Sequence, residues 1–345
     1  MTDSKPTFST LSRRQLLAAG VAATGVFATT LAAPWVRKAG AAELEKVRMA
    51  AWSPRLAEQA NIYVSEQNGF FKEQGIELEW VPGQGSGDAL KNMIAGNGDI
   101  AFVGPEAIYL AADKGSKLKA VYDIYPTNVF NVFAVKSKQI ITPQDLKGKK
   151  VGVISMASGT RYNLATILAL NGMSERDVEL VALGLNAAPA ILEGKVDAMA
   201  STDSILYGMQ ASGLGAVDVI WARDYLNSST DLFVVEEKDF EPKKDLFTRF
   251  LRAYRKGLEY TLKNQDEAVA ITSKVAIDGK DPARVAASMK LRLLCSQNAT
   301  TRKYGLGWID VAPLQESAKL YKDAGFIKND IDMSAIATND LVKKL

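Results

Sequence analysis

Histidine is absent from the 345 residues, and cysteine occurs only once. Without histidine the chain lacks Ser-His-Asp and Cys-His catalysis, and it lacks the most common metal ligand, so we expect no metal site. The single cysteine, Cys295, excludes an internal disulfide and a lipid-modified cysteine near the N-terminus. Because three of the four residues before it, at positions 291–294, are leucine and the pattern is helical, we expect an inert buried thiol rather than a nucleophile.

Two further classes of function find no support in the sequence. The chain has no G-x-x-x-x-G-K-[ST] motif, so nucleotide hydrolysis would have to come from a partner. Five of the 42 basic residues and one of the 39 acidic residues lie in the first 41 positions, which leaves 37 basic and 38 acidic side chains in the remainder. This near-neutral body has no stripe of Lys and Arg, which argues against nucleic-acid binding. With 47% hydrophobic and 23% charged residues, the chain is long enough for two folded domains.

The first 41 residues have the layout of a targeting segment. Arg13 and Arg14 precede an apolar run at residues 16–33, and Ala-Gly-Ala at residues 39–41 follows it. This layout resembles a twin-arginine export signal, although Leu and Ala replace the more common Phe and Lys after the arginine pair. It predicts a cleaved signal over residues 1–41, a periplasmic location and no membrane span in the mature protein. The alternative is a membrane anchor, which the glycine and threonine residues of the run disfavour.

From residue 45 onward, short apolar runs alternate with longer helical patterns. We predict strands at residues 47–52, 76–81, 99–103, 118–122, 151–155, 178–183, 196–200 and 217–221. Strands that alternate with helices indicate an α/β architecture with mostly parallel pairing. Two more β-rich runs, residues 129–135 and 232–235, are placed where the chain could cross between two lobes. Residues 243–325 are predicted to be mainly helical, with one buried apolar stripe.

Several short motifs of this region resemble those of a known family. Residues 67–76 read QNGFFKEQGI, residues 81–86 read VPGQGS, residues 94–101 read IAGNGDIA, and residues 145–153 read DLKGKKVGV. In this order they are similar to the substrate-binding proteins of ABC importers in the NMT1/THI5-like and SsuA-like group, and the likeness covers nearly all of residues 45–345.

The resemblance implies a type II periplasmic-binding fold, in which two α/β lobes are joined by two crossover strands and close on a small molecule. Lobe 1 is expected to comprise residues 42–130 and 233–345, and lobe 2 residues 131–232. The expected partners are a small-molecule ligand, an ABC permease and its ATPase. We expect a monomer without a cofactor.

Ligands of open α/β sheets lie beyond the carboxyl ends of strands, close to helix N-termini. Four turns of this chain fit that position. In the turn at residues 83–87, Ser86 either faces a ligand or only caps a helix. Asp88 stands where a dinucleotide fingerprint needs its third glycine, which argues against that motif. Glu106 and Asp203 either accept hydrogen bonds from a ligand or only complement the dipole of their helices.

The fourth turn differs because it carries a cation. Ser158 or Thr160 is expected to cap the helix that follows, both are candidates for ligand contact, and Arg161 lies in the first helical turn. A cation at that position faces the positive end of the helix dipole and calls for an anionic partner. Three alternatives stay open: an anionic group of the ligand, a carboxylate of Glu106 or Asp203 across a closed cleft, or exposure of the side chain to solvent.

Five further side chains are candidates for ligand contact. Aromatic faces at Trp52 and at Tyr125, which Asn128 accompanies, suit a planar ligand, and Asn61 and Asn186 are weaker polar candidates. The sequence therefore predicts an exported solute-binding protein that takes a sulfonate, aromatic carboxylate, pyrimidine or similar molecule. The alternatives are a lyase-type enzyme on the same fold, exported or cytoplasmic, and a ligand-sensing receptor subunit.

Overall fold

The computed structural model describes residues 43–184 and 188–345, of which Glu43–Leu345 form one unit. The predicted export signal and the candidate Asn186 lie outside the described residues. The described strands are β1 (Glu45–Ala51), β2 (Ile76–Pro82), β3 (Ile100–Val103), β4 (Leu118–Tyr125), β5 (Phe130–Val135), β6 (Lys150–Val153), β7 (Glu179–Ala182), β8 (Ala198–Thr202), β9 (Val217–Trp221) and β10 (Asp231–Glu236). Each of the ten runs predicted as β overlaps one of these strands.

The described helices divide into those between the strands and those after them. The first set is α1 (Ala60–Gln67), α2 (Phe70–Glu73), α3 (Ser86–Asn92), α4 (Pro105–Asp113), α5 (Gly159–Leu170), α6 (Ala188–Leu192) and α7 (Asp203–Ala211). The second set is α8 (Glu237–Phe240), α9 (Lys244–Lys263), α10 (Gln265–Val275), α11 (Pro282–Cys295), α12 (Ala299–Tyr304), α13 (Val311–Asp323) and α14 (Met333–Ile336). Among the described residues, none of these helices is long and apolar enough to cross a membrane.

The strands form two five-stranded sheets. We call the unit built on the sheet β2-β1-β3-β10-β4 lobe 1, and the unit built on the sheet β7-β6-β8-β5-β9 lobe 2. In each sheet the strands that alternate with helices pair in parallel, whereas β10 in lobe 1 and β5 in lobe 2 run antiparallel to their neighbours. The predicted mixture of parallel sheets and two crossovers is therefore confirmed.

The chain crosses from lobe 1 to lobe 2 between β4 and β5 and returns between β9 and β10. Hydrogen bonds join the two crossover segments: Thr230 Oγ1 donates to the carbonyl of Thr127 at 2.6 Å and accepts from the N–H of Val129 at 3.1 Å. Strands β5 and β10 themselves lie inside the sheets. Strand β5 begins at Phe130 and β10 at Asp231. The lobe boundaries expected at residues 130 and 232 lie within two residues of these strand starts, and they stay predictions.

Helices after β10 cover lobe 1 on both faces of its sheet. On one face, the predicted apolar stripe of α9 packs into the core, where Phe250 and Tyr254 contact Phe233 of β10 edge-on. On the other face, α13 packs against α4, with Tyr109 and Tyr321 in an edge contact. These helices fix the strand ends of lobe 1, where the candidate site lies.

Candidate functional site

The carboxyl ends of the parallel strands of both lobes meet at one place. Ser155, which follows β6 in lobe 2, donates a hydrogen bond to the carbonyl of Gln84 in lobe 1 at 3.3 Å. A Cβ atom built on Gly85 would lie 3.0 Å from the carbonyl oxygen of Ala157, so this backbone contact needs glycine. We call the region between the two sets of strand ends the cleft, and the described lobes are closed around it.

Glu106 lies in the first turn of α4 and points into the cleft. Its side chain is only 2% exposed, and its Oε1 atom has no hydrogen-bond partner. A Cβ atom built on Gly159, the first residue of α5 in lobe 2, would lie 3.3 Å from this oxygen. Burial raises the pKa of Glu106 to about 7, although hydrogen bonds to its own backbone and to Ser86 partly offset this. A buried carboxyl group that keeps one oxygen without a partner between two lobes is typical of a binding site.

Other titratable groups face Glu106. Burial, reinforced by repulsion from the carboxylates of Glu106 and Glu58, raises the pKa of Asp231 at the start of β10 well above its ordinary value. Glu106 also contributes to the raised pKa values of three tyrosines, for which burial is the largest cause: Tyr109, Tyr162 and Tyr321. No cation contributes to the pKa shift of Glu106.

Arg292 on α11 holds a second buried group together. Its Nε atom donates to Glu58 in lobe 1 at 2.7 Å, and its Nη1 atom donates to Asp203 in lobe 2 at 2.6 Å. Its Nη2 atom donates to the hydroxyl of Ser204 at 2.9 Å. Burial lowers the pKa of Arg292, but the carboxylates of Asp203 and Glu58 outweigh it and hold the pKa above its ordinary value. We call Glu58, Arg292 and Asp203 the interlobe triad, because it joins both lobes.

Helix packing closes the cleft at two sides. On one side, α11 packs against α7 of lobe 2, and a Cβ atom built on Gly208 would lie 3.2 Å from Nε of Arg284. On the other side, Tyr162 of α5 contacts Tyr321 and Phe326 of lobe 1 at centroid distances of 6.1 Å. Both contacts must separate when the lobes open.

Of the two aromatic candidates, Tyr125 contacts the triad, whereas Trp52 packs against Phe102. Trp52 follows β1, contacts Phe102 edge-on at 6.4 Å, and has a buried indole N–H without a hydrogen-bond partner. The hydroxyl of Tyr125 donates to the carbonyl of Glu58 at 2.9 Å, and the guanidinium of Arg292 lies 5.5 Å from its ring centroid. Trp52 therefore keeps a free donor, whereas the polar group of Tyr125 is already used.

Ser86 does not cap its helix, so the capping alternative is wrong. Gly85 occupies the N-cap position of α3 with a φ of 112°, which favours glycine. The hydroxyl of Ser86 instead accepts a hydrogen bond from the N–H of Gly104 at 2.9 Å. The same hydroxyl also hydrogen-bonds to the carboxyl group of Glu106 and so helps to position it.

At the fourth turn, Ser158 takes the N-cap position of α5 as expected, although its side chain accepts no hydrogen bond from a backbone N–H of the first helical turn and instead bonds to the hydroxyl of Thr160 at 2.7 Å. Its hydroxyl donates to the carbonyl of Ser155 at 2.7 Å. Thr160 accepts from the N–H of Ile154 at 3.1 Å. Both hydroxyls thus hold the turn between β6 and α5 and are buried.

Arg161 has an anionic partner that was not among the three alternatives. Its Nε and Nη2 atoms both donate to Glu175 of lobe 2 at 2.7 Å, and its Nη1 atom donates to the carbonyl of Met156 at 2.8 Å. The alternative that pairs Arg161 with Glu106 or Asp203 is wrong, because Asp203 pairs with Arg292 and no cation contributes to the pKa of Glu106. Exposure to solvent is also limited, since the side chain is 22% exposed.

The two described asparagine candidates are buried and engaged by protein groups. Asn61 on α1 lies beside the hydroxyl of Tyr254 within lobe 1. The amide nitrogen of Asn128 donates to Asn163 at 2.9 Å and to the carbonyl of Leu226 at 3.0 Å, so Asn128 ties the crossover segments together. Ligand contact by Asn61 and Asn128 stays a prediction.

Three acidic or basic groups of the site were missed from the sequence: Glu58, Asp231 and Arg292. Glu58 and Arg292 are 234 residues apart, and only tertiary packing brings them together. The sequence contained one sign of a buried cation, because Arg292 interrupts the leucine residues at positions 291–294 of α11. Cys295 is buried as expected, and burial raises its pKa to about 11, which makes its thiol a poor nucleophile.

Comparisons with known proteins agree with the geometry. The model of the NMT1/THI5-like family matches residues 57–268. The riboflavin-binding protein RibY of Chloroflexus aurantiacus is 27% identical over 82% of this chain and 82% of its own length. The 4-amino-5-hydroxymethyl-2-methylpyrimidine phosphate synthase THI12 of Saccharomyces cerevisiae is 23% identical over 58% of this chain and 62% of its own length.

One solved structure illustrates the similarity of fold. The alkanesulfonate-binding protein SsuA of Xanthomonas axonopodis pv. citri, bound to MOPS, superposes with a TM-score of 0.68 over 86% of this chain and 99% of its own. Its sequence is 16% identical to this one. The predicted periplasmic-binding-protein fold with two α/β lobes is therefore confirmed.

Proposed function

Because the chain belongs to the NMT1/THI5-like family, we propose that it is the solute-binding component of an ABC importer. It captures a small organic molecule in the cleft and delivers that molecule to the permease, whose ATPase supplies the energy. The chain acts outside the cytoplasm, in the periplasm, as a monomer. RibY, a binding protein by name, matches over more of its length than the synthase does, which favours this proposal over catalysis.

The observation that carries the proposal is the position of Glu106. Leaving a polar group buried without a partner costs about 1–3 kcal/mol, and more if the group is charged. The Oε1 atom of Glu106 is such a group, and it lies at the contact between two lobes rather than inside one. A ligand that donates a hydrogen bond to this oxygen removes the cost, and it does so only while both lobes surround it.

Ligand capture then follows from the differential stability of two states. In the open state, a ligand contacts one lobe, whereas in the closed state it contacts the strand ends of both, so binding shifts the population toward closure. The interlobe triad and the packing of α7 on α11 stabilise the same closed state. The crossover segments around Asn128 and Thr230 are the places where the backbone must change direction during opening.

An enzyme on the same fold is the second candidate, because a synthase is among the relatives. Two observations weigh against it. The chain has no histidine to act as a general acid or base. Cys295, its only thiol, is buried with a pKa raised to about 11. A lyase would have to rely on the carboxyl groups of the cleft.

Native mass spectrometry of the gently purified chain tests the proposal. We expect a bound compound in a ratio of one per chain, released on denaturation with its mass unchanged. The compound is then added back to the stripped protein, incubated for hours and recovered. Recovery of the unaltered compound supports a binding protein, whereas its conversion to a product contradicts the proposal and supports the enzyme.

A further inference from the structure

Helix α11 is anchored in lobe 1, although it carries the residue that reaches lobe 2. Its side chains Met289 and Leu293 pack with residues of α1 and α9 in one buried apolar cluster. Glu58 lies in the short turn that precedes α1, so it belongs to the same lobe. Arg292 and Glu58 therefore stay together when the two lobes separate.

The partners of Arg292 in lobe 2 are the first two residues of α7. Its Nη1 atom donates to Asp203 at 2.6 Å, and its Nη2 atom donates to the hydroxyl of Ser204 at 2.9 Å. That hydroxyl in turn donates to Oε2 of Glu58 at 3.1 Å. Three hydrogen bonds thus cross from one lobe to the other around a single guanidinium group.

The protein itself satisfies the polar groups of this contact. Oδ1 of Asp203 also accepts from the N–H of Ser204 at 2.6 Å, and its Oδ2 accepts from the thiol of Cys295 at 3.7 Å. Within the described residues, no buried side-chain nitrogen or oxygen of the triad or of Ser204 lacks a hydrogen-bond partner. A buried ion pair offsets its desolvation only when its remaining polar atoms are hydrogen-bonded, and this one meets that condition. Glu106 is the opposite case, because its Oε1 atom has no partner.

Contacts at the other sides of the cleft also join the lobes without a ligand. Tyr162 of lobe 2 packs against the ring of Tyr321 in lobe 1 at a centroid distance of 6.1 Å. A Cβ atom built on Gly87 of α3 would lie 3.6 Å from the Cβ atom of Ala157 in lobe 2, which is ordinary van der Waals contact. The closed arrangement is therefore complementary on several sides before any ligand is present.

We propose that the interlobe triad, together with Ser204, is a latch that holds the lobes closed while the cleft is empty. The closed state then predominates in the empty chain, and a ligand enters during brief openings in which Arg292 keeps Glu58 and releases Asp203. Because only the open fraction can admit a ligand, the latch lowers the apparent affinity for every ligand. The inference goes beyond the proposed function, since it concerns the empty chain and holds for any ligand of the cleft.

A disulfide that locks the lobes supplies the reference for the closed state. The Cβ atoms of a disulfide are usually about 3.5–4.5 Å apart, so the pair Gly87→Cys and Ala157→Cys fits this distance. The chain is unfolded, freed of bound compounds and refolded, and native mass spectrometry checks that it is empty. In small-angle X-ray scattering, we expect the empty wild-type chain and the oxidised double variant to have the same radius of gyration. A larger radius of gyration in the empty wild-type chain overturns the inference.

The native thiol of Cys295 reports opening of the latch. It is buried against Asp203, so N-ethylmaleimide reaches it when the lobes separate. In Asp203→Ala, one nitrogen of Arg292 is buried without an acceptor only while the lobes are closed, which favours the open state. We expect alkylation of Cys295 in this variant to be at least about tenfold faster than in wild type. Asp224→Ala, at an exposed position of lobe 2, is the matched control and should react as slowly as wild type.

The locked form of Asp203→Ala separates opening from other effects of the substitution. With the disulfide between positions 87 and 157 formed, the lobes cannot separate, and alkylation of Cys295 should fall back toward the wild-type rate. Melting temperatures show that each variant is folded. If Asp203→Ala fails to fold, Ser204→Ala replaces it, because it removes two hydrogen bonds between the lobes without changing a charge. Equally fast alkylation in the locked and unlocked forms, or an unchanged rate in the unlocked variant, overturns the latch.

Discussion

Replacing Arg292 by methionine tests the interlobe triad. The guanidinium lies between Glu58 and Asp203 with three hydrogen bonds of 2.6–2.9 Å, and the side chain is 4% exposed. Methionine has a similar length and packs well in irregular apolar surroundings, so the substitution removes the charge without opening a large cavity. It leaves two carboxylates buried in the closed cleft without a cation.

The expected loss of stability is large. Removing one partner of a buried ion pair costs about 3–5 kcal/mol, because the remaining charge is uncompensated. Unfolding entropy amounts to about 2.1 cal/mol/K per residue, or roughly 0.6 kcal/mol/K for a unit of about 300 residues. The Tm of Arg292→Met should therefore lie about 5–8 °C below that of the wild-type protein.

Urea unfolding of the unliganded protein at neutral pH, followed by circular dichroism, measures the free energy directly. Arg302→Met, at an exposed position of α12, is the matched control and should change it by less than about 0.5 kcal/mol. The triple variant Glu58→Leu, Arg292→Met and Asp203→Leu replaces the triad with apolar groups and should recover most of the loss. A loss below about 1 kcal/mol in Arg292→Met would contradict the interlobe triad, because it would mean that the carboxylates are not buried and paired with Arg292.

Three shorter predictions concern the cleft. The folded pKa of Glu106, about 7, lies above its ordinary value of 4.5, so its contribution to stability is present below pH 4.5 and is lost as pH rises through 7. Glu106→Gln cannot ionise, and in urea unfolding it should be more stable than wild type at pH 8 by up to about 3 kcal/mol but not at pH 4. Arg161→Ala removes the ion pair with Glu175, so the free energy of unfolding should fall by about 1 kcal/mol. The ligand affinity measured by calorimetry should stay within about twofold of wild type. In Gly159→Ala, the added methyl group would lie 2.6 Å from Phe130, so thermal unfolding should report a loss of about 1–3 kcal/mol.

Matched variants accompany these three. Glu316→Gln is exposed and should show no pH-dependent gain, and Arg176→Ala is exposed beside Glu175 and should leave stability unchanged. Gly87→Ala meets only ordinary contacts at 3.6 Å and should be tolerated. If Glu106→Gln gained the same stability at every pH, the burial of an ionisable Glu106 would be contradicted. A large loss of ligand affinity in Arg161→Ala would contradict the pairing of Arg161 with Glu175. An unchanged Tm in Gly159→Ala would contradict the close approach of Gly159 to Phe130.

Much of the fold could be predicted from local patterns. Strands such as β3, whose four residues are all buried, are continuous apolar runs between turn signals, and Pro105 at the first position of α4 follows the preference of proline for helix starts. The positions of Glu106 and Asp203 in strand-to-helix turns identified both residues as candidates for the site. Both side chains lie where these turns bring the two lobes together.

The pairings within the site could not be predicted in the same way. Arg161 was expected to need an anion, and it has one, but Glu175 lies in a short turn whose capping box of Ser174 and Asp177 does not indicate a contact with Arg161. Arg292 lies on a C-terminal helix whose contact with lobe 2 depends on the relative placement of both lobes. The charges of Asp203 and Arg161 therefore looked available to a ligand in the sequence, although the fold neutralises both.

Import by whole cells tests directly whether the chain is the solute-binding component of an ABC importer. The compound recovered from the purified chain is labelled and offered to cells that lack the gene for this chain. We expect that uptake is lost, that it returns with the wild-type chain, and that it does not return with Glu106→Leu although this variant is exported and folded. Unchanged uptake in cells without the chain would contradict a role as the solute-binding component of an importer.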